Sequence, residues 1–280
     1  MNISQVLQSA VQLNSHSDTA TVDCELLLCH VLDVDRSYLK TWPDRELNSA
    51  DQEQFQQLLE RRIQGEPVAY LIGTQGFWTL DLKVSPATLI PRPETELLVE
   101  TALELELPEQ SKVLDLGTGT GAIALALASE RSQWQISAVD LMPNAVQLAS
   151  ANCQRHQFDN VEIFQSCWFT EIPAQRFDLI VSNPPYIEGG DEHLTQGDVR
   201  FEPASALVSG SDGLDDLRLL IAESVNYLAD RGWLMVEHGY QQGAAVRDLF
   251  RQAGFSAVET RTDLNNLERI TLGYVGLAAR

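Results

Sequence analysis

The spacing of apolar residues divides the chain near Gly73. Before that point hydrophobic positions recur at helical intervals. Leu7, Ala10, Val11 and Asn14 form one short amphipathic face, and Leu26, Leu27, Leu28, Val31 and Leu32 form a second, more apolar one. A third helix carries its own punctuation: Ser49 followed by Gln52 reads as a capping box, Phe55, Leu58, Leu59 and Ile63 form the buried stripe, and Gly65 closes it. Residues 1–73 are therefore expected to fold as a small helical bundle, either a folded appendage or a grip for a macromolecular partner. From Tyr70 to Ile90 the period shifts toward two, so Phe77–Leu80 and Leu82–Val84 predict a β-hairpin in a linking segment, residues 74–93. Pro86, Pro91 and Pro93 stiffen the approach to a helix over Glu94–Leu105, with Leu97, Leu98, Ala102 and Leu105 turned inward.

After Pro108 short β-branched runs alternate with helical stretches to the end. Strands are expected at Lys112–Leu116, Gln135–Val139, Val161–Gln165, Phe177–Ser182, Gly232–Glu237, Ala257–Arg261 and Arg269–Val275. Helices fall between most of them, at Gly121–Glu130, Pro143–Gln154, Leu214–Leu228 and Gln241–Ala253. This alternation predicts an α/β domain over residues 94–280, a doubly wound and mostly parallel sheet of seven strands. Only a loop separates the last two strands, so they should pair antiparallel at one edge. The stretch from Ile187 to Gly213 has no periodicity and predicts a lid or a substrate-binding loop.

Charge narrows the partners. The 280 residues carry a formal net charge of -21, with a sequence pI near 4.4. Such a field repels polyphosphate and favours basic protein partners, so direct nucleic-acid binding is disfavoured. Cys24, Cys29, Cys153 and Cys167 show no C-x-x-C spacing and no histidine cluster. No metal site or disulfide framework is indicated, and reduced thiols point to a cytoplasmic protein. The first residues lack the basic and apolar segments of a signal peptide, and the Ala122–Ala128 run is too short to span a bilayer, so no membrane association is expected.

Two stretches carry candidate chemistry. Val113–Leu116 runs into Gly117-Thr118-Gly119-Thr120-Gly121 and then a helix, a glycine-rich turn that lets a ligand approach the backbone and offers free N–H groups. Nineteen residues beyond Gly121, Asp140 ends the next strand, where a carboxylate can accept both hydroxyls of a ribose. A nucleoside-containing cofactor is implied. Gly117-x-Gly119-x-x-Ala122 also satisfies a relaxed dinucleotide fingerprint. S-adenosylmethionine is favoured over NAD because Asp115 stands where it could hold an ammonium and no hydride-relay histidine follows; His238 reads as structural.

The second stretch is Asn183-Pro184-Pro185-Tyr186, at the carboxyl end of the Phe177–Ser182 strand, where an open parallel sheet binds ligands. Two prolines keep the backbone extended and remove two N–H donors, leaving a wall of acceptors. The Asn183 side-chain oxygen and the Pro184 carbonyl could hold both hydrogens of a planar NH2 group, with Tyr186 against its face. Such a site suits an amide or an exocyclic base amine. Arg92, before the Glu94 helix, reads first as a salt-bridged arginine and second as a substrate or cofactor contact.

The glycine loop with Asp140 resembles class I S-adenosylmethionine-dependent methyltransferases, with their Rossmann-like fold, and Asn-Pro-Pro-Tyr resembles the subset that methylates planar nitrogens. Phe77-Trp78, the run Val84–Glu96, Gly197–Pro203 and Glu237-His238-Gly239 extend the likeness over nearly the whole chain. Together they resemble the peptide chain release factor glutamine methyltransferases, the HemK or PrmC family. The resemblance implies methylation of the glutamine amide in the Gly-Gly-Gln loop of class I release factors, giving N5-methylglutamine. It implies that Gly117 to Gly121, Asp140 and Asn183 contact the cofactor, that Trp168 packs on its adenine and that Asn183 to Tyr186 hold the glutamine. Cys167 departs from the pattern, standing where many relatives carry an acidic residue that accepts from the adenine amine; a thiol is a weak acceptor. The alternative is a nucleic-acid amino methyltransferase acting on adenine or guanine.

Overall fold

The computed structural model describes residues 1–14 and 17–276. Its helices are α1 (Ile3–Leu7), α2 (Ala20–Leu32), α3 (Arg36–Thr41), α4 (Ser49–Ile63), α5 (Val68–Ile72), α6 (Glu96–Glu104), α7 (Ala122–Glu130), α8 (Pro143–His156), α9 (Asp215–Ser224) and α10 (Gly243–Gln252). Its strands are β1 (Thr74–Phe77), β2 (Leu80–Lys83), β3 (Lys112–Leu116), β4 (Gln135–Asp140), β5 (Val161–Gln165), β6 (Phe177–Ser182), β7 (Leu228–Glu237), β8 (Phe255–Thr262) and β9 (Glu268–Val275). They form two compact units: Met1–Thr74 with Glu192–Phe201, and Gln75–Asp191 with Glu202–Arg280.

The larger unit is built on a seven-stranded sheet in the order β5-β4-β3-β6-β7-β9-β8. β3, β4, β5, β6 and β7 run parallel, and β9 is antiparallel to both β7 and β8. Buried on both faces, β3 and β6 need continuous apolar runs, and Val113, Leu114, Leu116, Leu179, Ile180 and Val181 supply them with no exposed surface. The chain winds outward from β3 through β4 to β5, returns to β6 beside β3, and continues the other way. Strand order therefore reverses between β3 and β6, the place where doubly wound sheets open a crevice at their carboxyl ends.

β7 starts at Leu228, earlier than its apolar run indicates. Its register against β6 shifts between Phe177 and Leu179, next to Arg231, which adopts a left-handed φ of 62°. The polar residues Asp230 and Arg231 lie in that irregularity, which hides the strand's start from any two-residue pattern. The expected helix over Glu94–Leu105 opens with a 3-10 turn, Pro93–Thr95, before α6 begins. The stretch after β6 is held at its base: Ile187 bridges Val208 in parallel, with N–H···O bonds from Ile187 to Leu207, from Ser209 to Ile187 and from Gly189 to Gly210.

The helical unit corrects two details of the sequence reading. Asn48, not Ser49, caps α4: its Oδ1 accepts from the Asp51 N–H at 2.8 Å, while Gln52 donates to the Leu47 carbonyl. A complete capping box stands instead at Asn2 and Gln5. Val11, assigned to an inward face, is 71 % exposed, because Gln8–Leu13 winds as a 3-10 helix. Three residues per turn bring Ala10 and Leu13 inward and leave Val11 out.

The same unit holds an ionic cluster in which Arg62 and Asp23 are buried. Arg62 donates from Nε to Asp23 at 2.8 Å and from Nη1 to Asp198 at 2.7 Å, and Asp23 also accepts the Ser17 and Thr19 hydroxyls. Removing the cation would strand the Asp23 carboxylate, whose side chain is 6 % exposed. Arg62→Ala is expected to lower unfolding stability by about 3 kcal/mol, as breaking one side of a buried pair does. Urea denaturation followed by circular dichroism checks it, and a loss below about 1 kcal/mol, the worth of a surface pair, would contradict the assignment.

Candidate active site

At the carboxyl end of β3 the backbone turns through Gly117, Gly119 and Gly121, with φ of +74°, +57° and +86°. These are left-handed conformations that a side chain would strain. At Gly117 a Cβ would also come within 3.3 Å of the Trp168 ring. The turn is fastened to the neighbouring strand because the Gly117 and Thr118 N–H groups both donate to the Val139 carbonyl at 2.9 Å. α7 starts directly after it, with Ala122 and Ile123 lining the crevice.

Two carboxylates shape this turn in different ways. Asp140 lines the crevice and holds the turn from outside, accepting from the Gly119 N–H at 3.0 Å and the Met142 N–H at 2.9 Å. Burial raises its pKa, and the backbone donors of Met142, Gly119 and Leu141 pull it back. Asp115 has no exposed surface and does not line the crevice. It accepts the Thr118 hydroxyl at 2.6 Å, and burial pushes its pKa up to about 7. The structure thus sets Asp115 behind the turn, reaching the crevice only through Thr118, instead of in the position expected for an ammonium partner.

The opposite walls come from β5, β6 and the segment before α6. Ser166, Cys167 and Trp168 follow β5; the Ser166 hydroxyl donates to the Trp168 carbonyl at 2.8 Å and fixes the bend in which Trp168 adopts a φ of 49°. Cys167 is exposed and lines the same crevice. Asn183 and Pro185 line it as well; between and after them Pro184 is buried and Tyr186 half-buried. Asn183 Nδ2 donates to the Thr95 hydroxyl at 3.1 Å, and Thr95 is itself a wall residue. Tyr186 donates to Glu237 at 3.2 Å, and Gln242 donates to the Tyr186 carbonyl at 3.0 Å, so the tetrapeptide is held from the side and from its end.

Glu237 is 2 % exposed, and burial pushes its pKa up to about 7. The Thr95 hydroxyl, the Tyr186 phenol and, at longer range, Arg269 favour its ionised form, although Oε2 completes no hydrogen bond among the described residues. Arg92 is salt-bridged: its Nη2 meets the buried Glu202 carboxylate at 2.5 Å. That bond ties the wall segment 87–91 to the wall residues Ser205 and Ala206. His238 is structural, with Nδ1 at 2.9 Å from the Gly239 carbonyl and Nε2 at 2.9 Å from the Thr271 hydroxyl. Thr95 and the Glu237–Tyr186 bond are absent from the sequence reading. The only signal for them was their place inside the Val84–Glu96 and Glu237–Gly239 runs.

These residues fit a nucleoside with a charged, flexible tail. One wall offers a carboxylate with lone pairs to spare for hydroxyls, another offers an indole face, and the far wall offers Asn183. Among the described residues no group of three or more His, Cys, Asp or Glu side chains is placed to hold a metal.

Known proteins agree with this layout. A family profile described as the PrmC N-terminal domain matches residues 5–73, and one described as the methyltransferase small domain matches residues 93–210. A release factor glutamine methyltransferase from Pseudomonas aeruginosa is 56% identical over 257 residues, covering 92% of this chain and 93% of that protein. One from Salmonella typhimurium is 50% identical over 273 residues, covering 98% and 99%. In three dimensions a methyltransferase from Pyrococcus furiosus superposes with a TM-score of 0.55 at 17% identity, over 78% of this chain and 98% of that one, a likeness of fold.

The buried Glu237 carboxyl makes a pH-dependent contribution. Its pKa is raised on folding from 4.5 to about 7, so the stability it supports is complete below pH 4.5 and is lost as pH rises toward 7. Glu237→Gln is therefore expected to raise the thermal midpoint relative to the parent more at pH 8 than at pH 5. Melting curves at both pH values check this, and the comparison cancels the titrations of Asp115 and His238. An equal change at the two pH values would contradict it.

Proposed function

The chain belongs to the release factor glutamine methyltransferase family, and from that premise we infer that it methylates the side-chain amide nitrogen of the glutamine in the Gly-Gly-Gln motif of class I peptide chain release factors. The product is N5-methylglutamine. The methyl donor is S-adenosylmethionine, which when bound supplies an electrophilic sulfonium methyl. The observation that carries the reading is the Asn183 amide, held by Thr95 in the wall of a nucleoside-type crevice at the sheet's switch point.

The chemistry asked of the protein is modest but specific. An amide nitrogen is a poor nucleophile because its lone pair is delocalised into the carbonyl. Acceptors around its two hydrogens orient the group and stabilise the positive charge that develops as the N–C bond forms. With Nδ2 committed to Thr95, Asn183 presents Oδ1 as one such acceptor. The Pro184 carbonyl is the second in this reading, and Tyr186 braces the planar group. As the new bond forms, the nitrogen becomes acidic and gives up one proton to solvent. Gly117 to Gly121, Asp140 and Trp168 hold the cofactor, and placement of donor and acceptor at about 3 to 3.5 Å supplies much of the rate.

We assign residues 1–73 to recognition of the release factor, 74–93 to a hairpin linker and 94–280 to catalysis; the match to the PrmC N-terminal domain supports the first. The net charge of -21 suits a basic protein substrate and opposes a nucleic-acid amine. Among the described residues no helix is long and apolar enough to cross a membrane, and we place the enzyme in the cytoplasm, with its substrate.

Methyl transfer from labelled S-adenosylmethionine to an unmodified release factor, beside one whose Gly-Gly-Gln glutamine is replaced, tests the reading. Label on the first and none on the second is expected; label on neither, with cofactor binding intact, would overturn it. Asn183→Ala is expected to lower kcat by on the order of 100-fold. Its effect on the cofactor Kd, read by titration calorimetry, should stay within a few-fold. Equal losses in both would make Asn183 a part of the cofactor pocket instead.

A further inference from the structure

An asparagine is useful as an acceptor only if its amide faces the right way. The two ends of the group have nearly the same shape, and a half-turn would aim Nδ2 at the substrate's own NH2, setting donor against donor. Asn183 alone has no preference between these arrangements. Its neighbour in space, 88 residues away in sequence, is Thr95, 4 % exposed and within 3.1 Å of Nδ2.

Thr95 is the last residue of the 3-10 turn Pro93–Thr95, which runs directly into α6; its φ and ψ, -69° and -19°, are helical, and its side chain makes no cap bond to the backbone of the first turn. The hydroxyl has Asn183 Nδ2 within 3.1 Å, and it favours the ionised form of Glu237. A hydroxyl has one proton and two lone pairs. When the proton is drawn to a carboxylate, only lone pairs remain for Asn183, and these can take Nδ2 but not Oδ1.

We propose that Thr95 is a positioning residue for the methyl-transfer reaction, which selects the Asn183 amide orientation that turns Oδ1 toward the substrate amide. Tyr186 is braced from the same carboxyl, since its phenol donates to Glu237 Oε1. The 3-10 turn Pro93–Thr95 thereby joins the acceptor wall.

The proposal rests on the glutamine-amide reading, and the experiment separates the two. Parent, Thr95→Val, Thr95→Ser, Asn183→Ala and the double variant are assayed on the unmodified release factor, with cofactor Kd and thermal midpoint measured for each. A parent that transfers no label refutes the substrate reading whatever Thr95 does. With an active parent, Thr95→Val is expected to lower kcat about 10- to 100-fold, as misplacement of a reacting group does, with an unchanged cofactor Kd. Thr95→Ser should keep kcat within a few-fold of the parent. In the Asn183→Ala background Thr95→Val should change kcat by less than about 2-fold, since its effect passes through Asn183. If valine prevents folding, Thr95→Ala against Thr95→Ser isolates the same hydroxyl. A valine variant as active as the parent, or one that loses the same factor in both backgrounds, would reduce Thr95 to a packing residue.

Discussion

Carboxylates taken out of water shape the rim of this crevice. Asp115 has no exposed surface, Glu237 is 2 % exposed and Glu202 is 7 % exposed, and all three lie just behind or beside its walls. Burying such groups costs several kcal/mol each, so none is there for stability alone. Each holds a separate piece of the wall: Asp115 takes Thr118 of the glycine turn, Glu237 takes Tyr186 behind the acceptor strand end, and Glu202 takes Arg92 beside the entry segment. The resulting walls have fixed side-chain geometry, which chemistry that depends on aligning two planar amides requires.

The two halves of the crevice are built differently. On the β3 side, the glycine turn with positive φ is fastened through its own N–H groups to Val139 and Asp140, and Asp140 accepts from the Gly119 and Met142 N–H groups. On the β6 side two prolines remove donors and Asn183 commits its NH2 to Thr95, so acceptors dominate. The doubly wound sheet supplies only the place where these halves meet. The same fold is shared by a Pyrococcus methyltransferase at 17% identity, and the fold by itself does not set the substrate.

How much of this the sequence disclosed depended on whether the responsible partners were near one another in the chain. β3, β5 and β6 begin and end where their apolar runs do, because runs bounded by proline, glycine or polar residues are visible locally. The start of β7 was hidden by Asp230 and Arg231 at an irregular register. The cap of α4 fell one residue early because Asn48 and Ser49 are both good caps and only geometry decides between them. In the site, the glycine turn, Asp140 and Asn183 were legible because each ends a recognisable strand. Thr95 and Glu237 were not, because their partners are 88 and 51 residues away and meet only once β6 and β7 lie side by side.

The stretch from Ile187 to Gly213, which sequence alone suggests is a lid or substrate-binding loop, has a more constrained form. Its base is closed by the Ile187–Val208 bridge, so the two ends cannot separate without breaking backbone bonds. Residues Glu192–Phe201 pack with the helical unit, where Asp198 meets Arg62, while Glu202, the next residue, is buried against Arg92 in the catalytic unit. Each unit thus holds its part of the stretch by an ion pair of its own, Asp198 in the first and Glu202 in the second. A free lid would carry its polar backbone in solvent and close on ligand. This stretch is tied at its base, and within the larger unit Glu202 holds it to Arg92 beside the crevice residues Ser205 and Ala206.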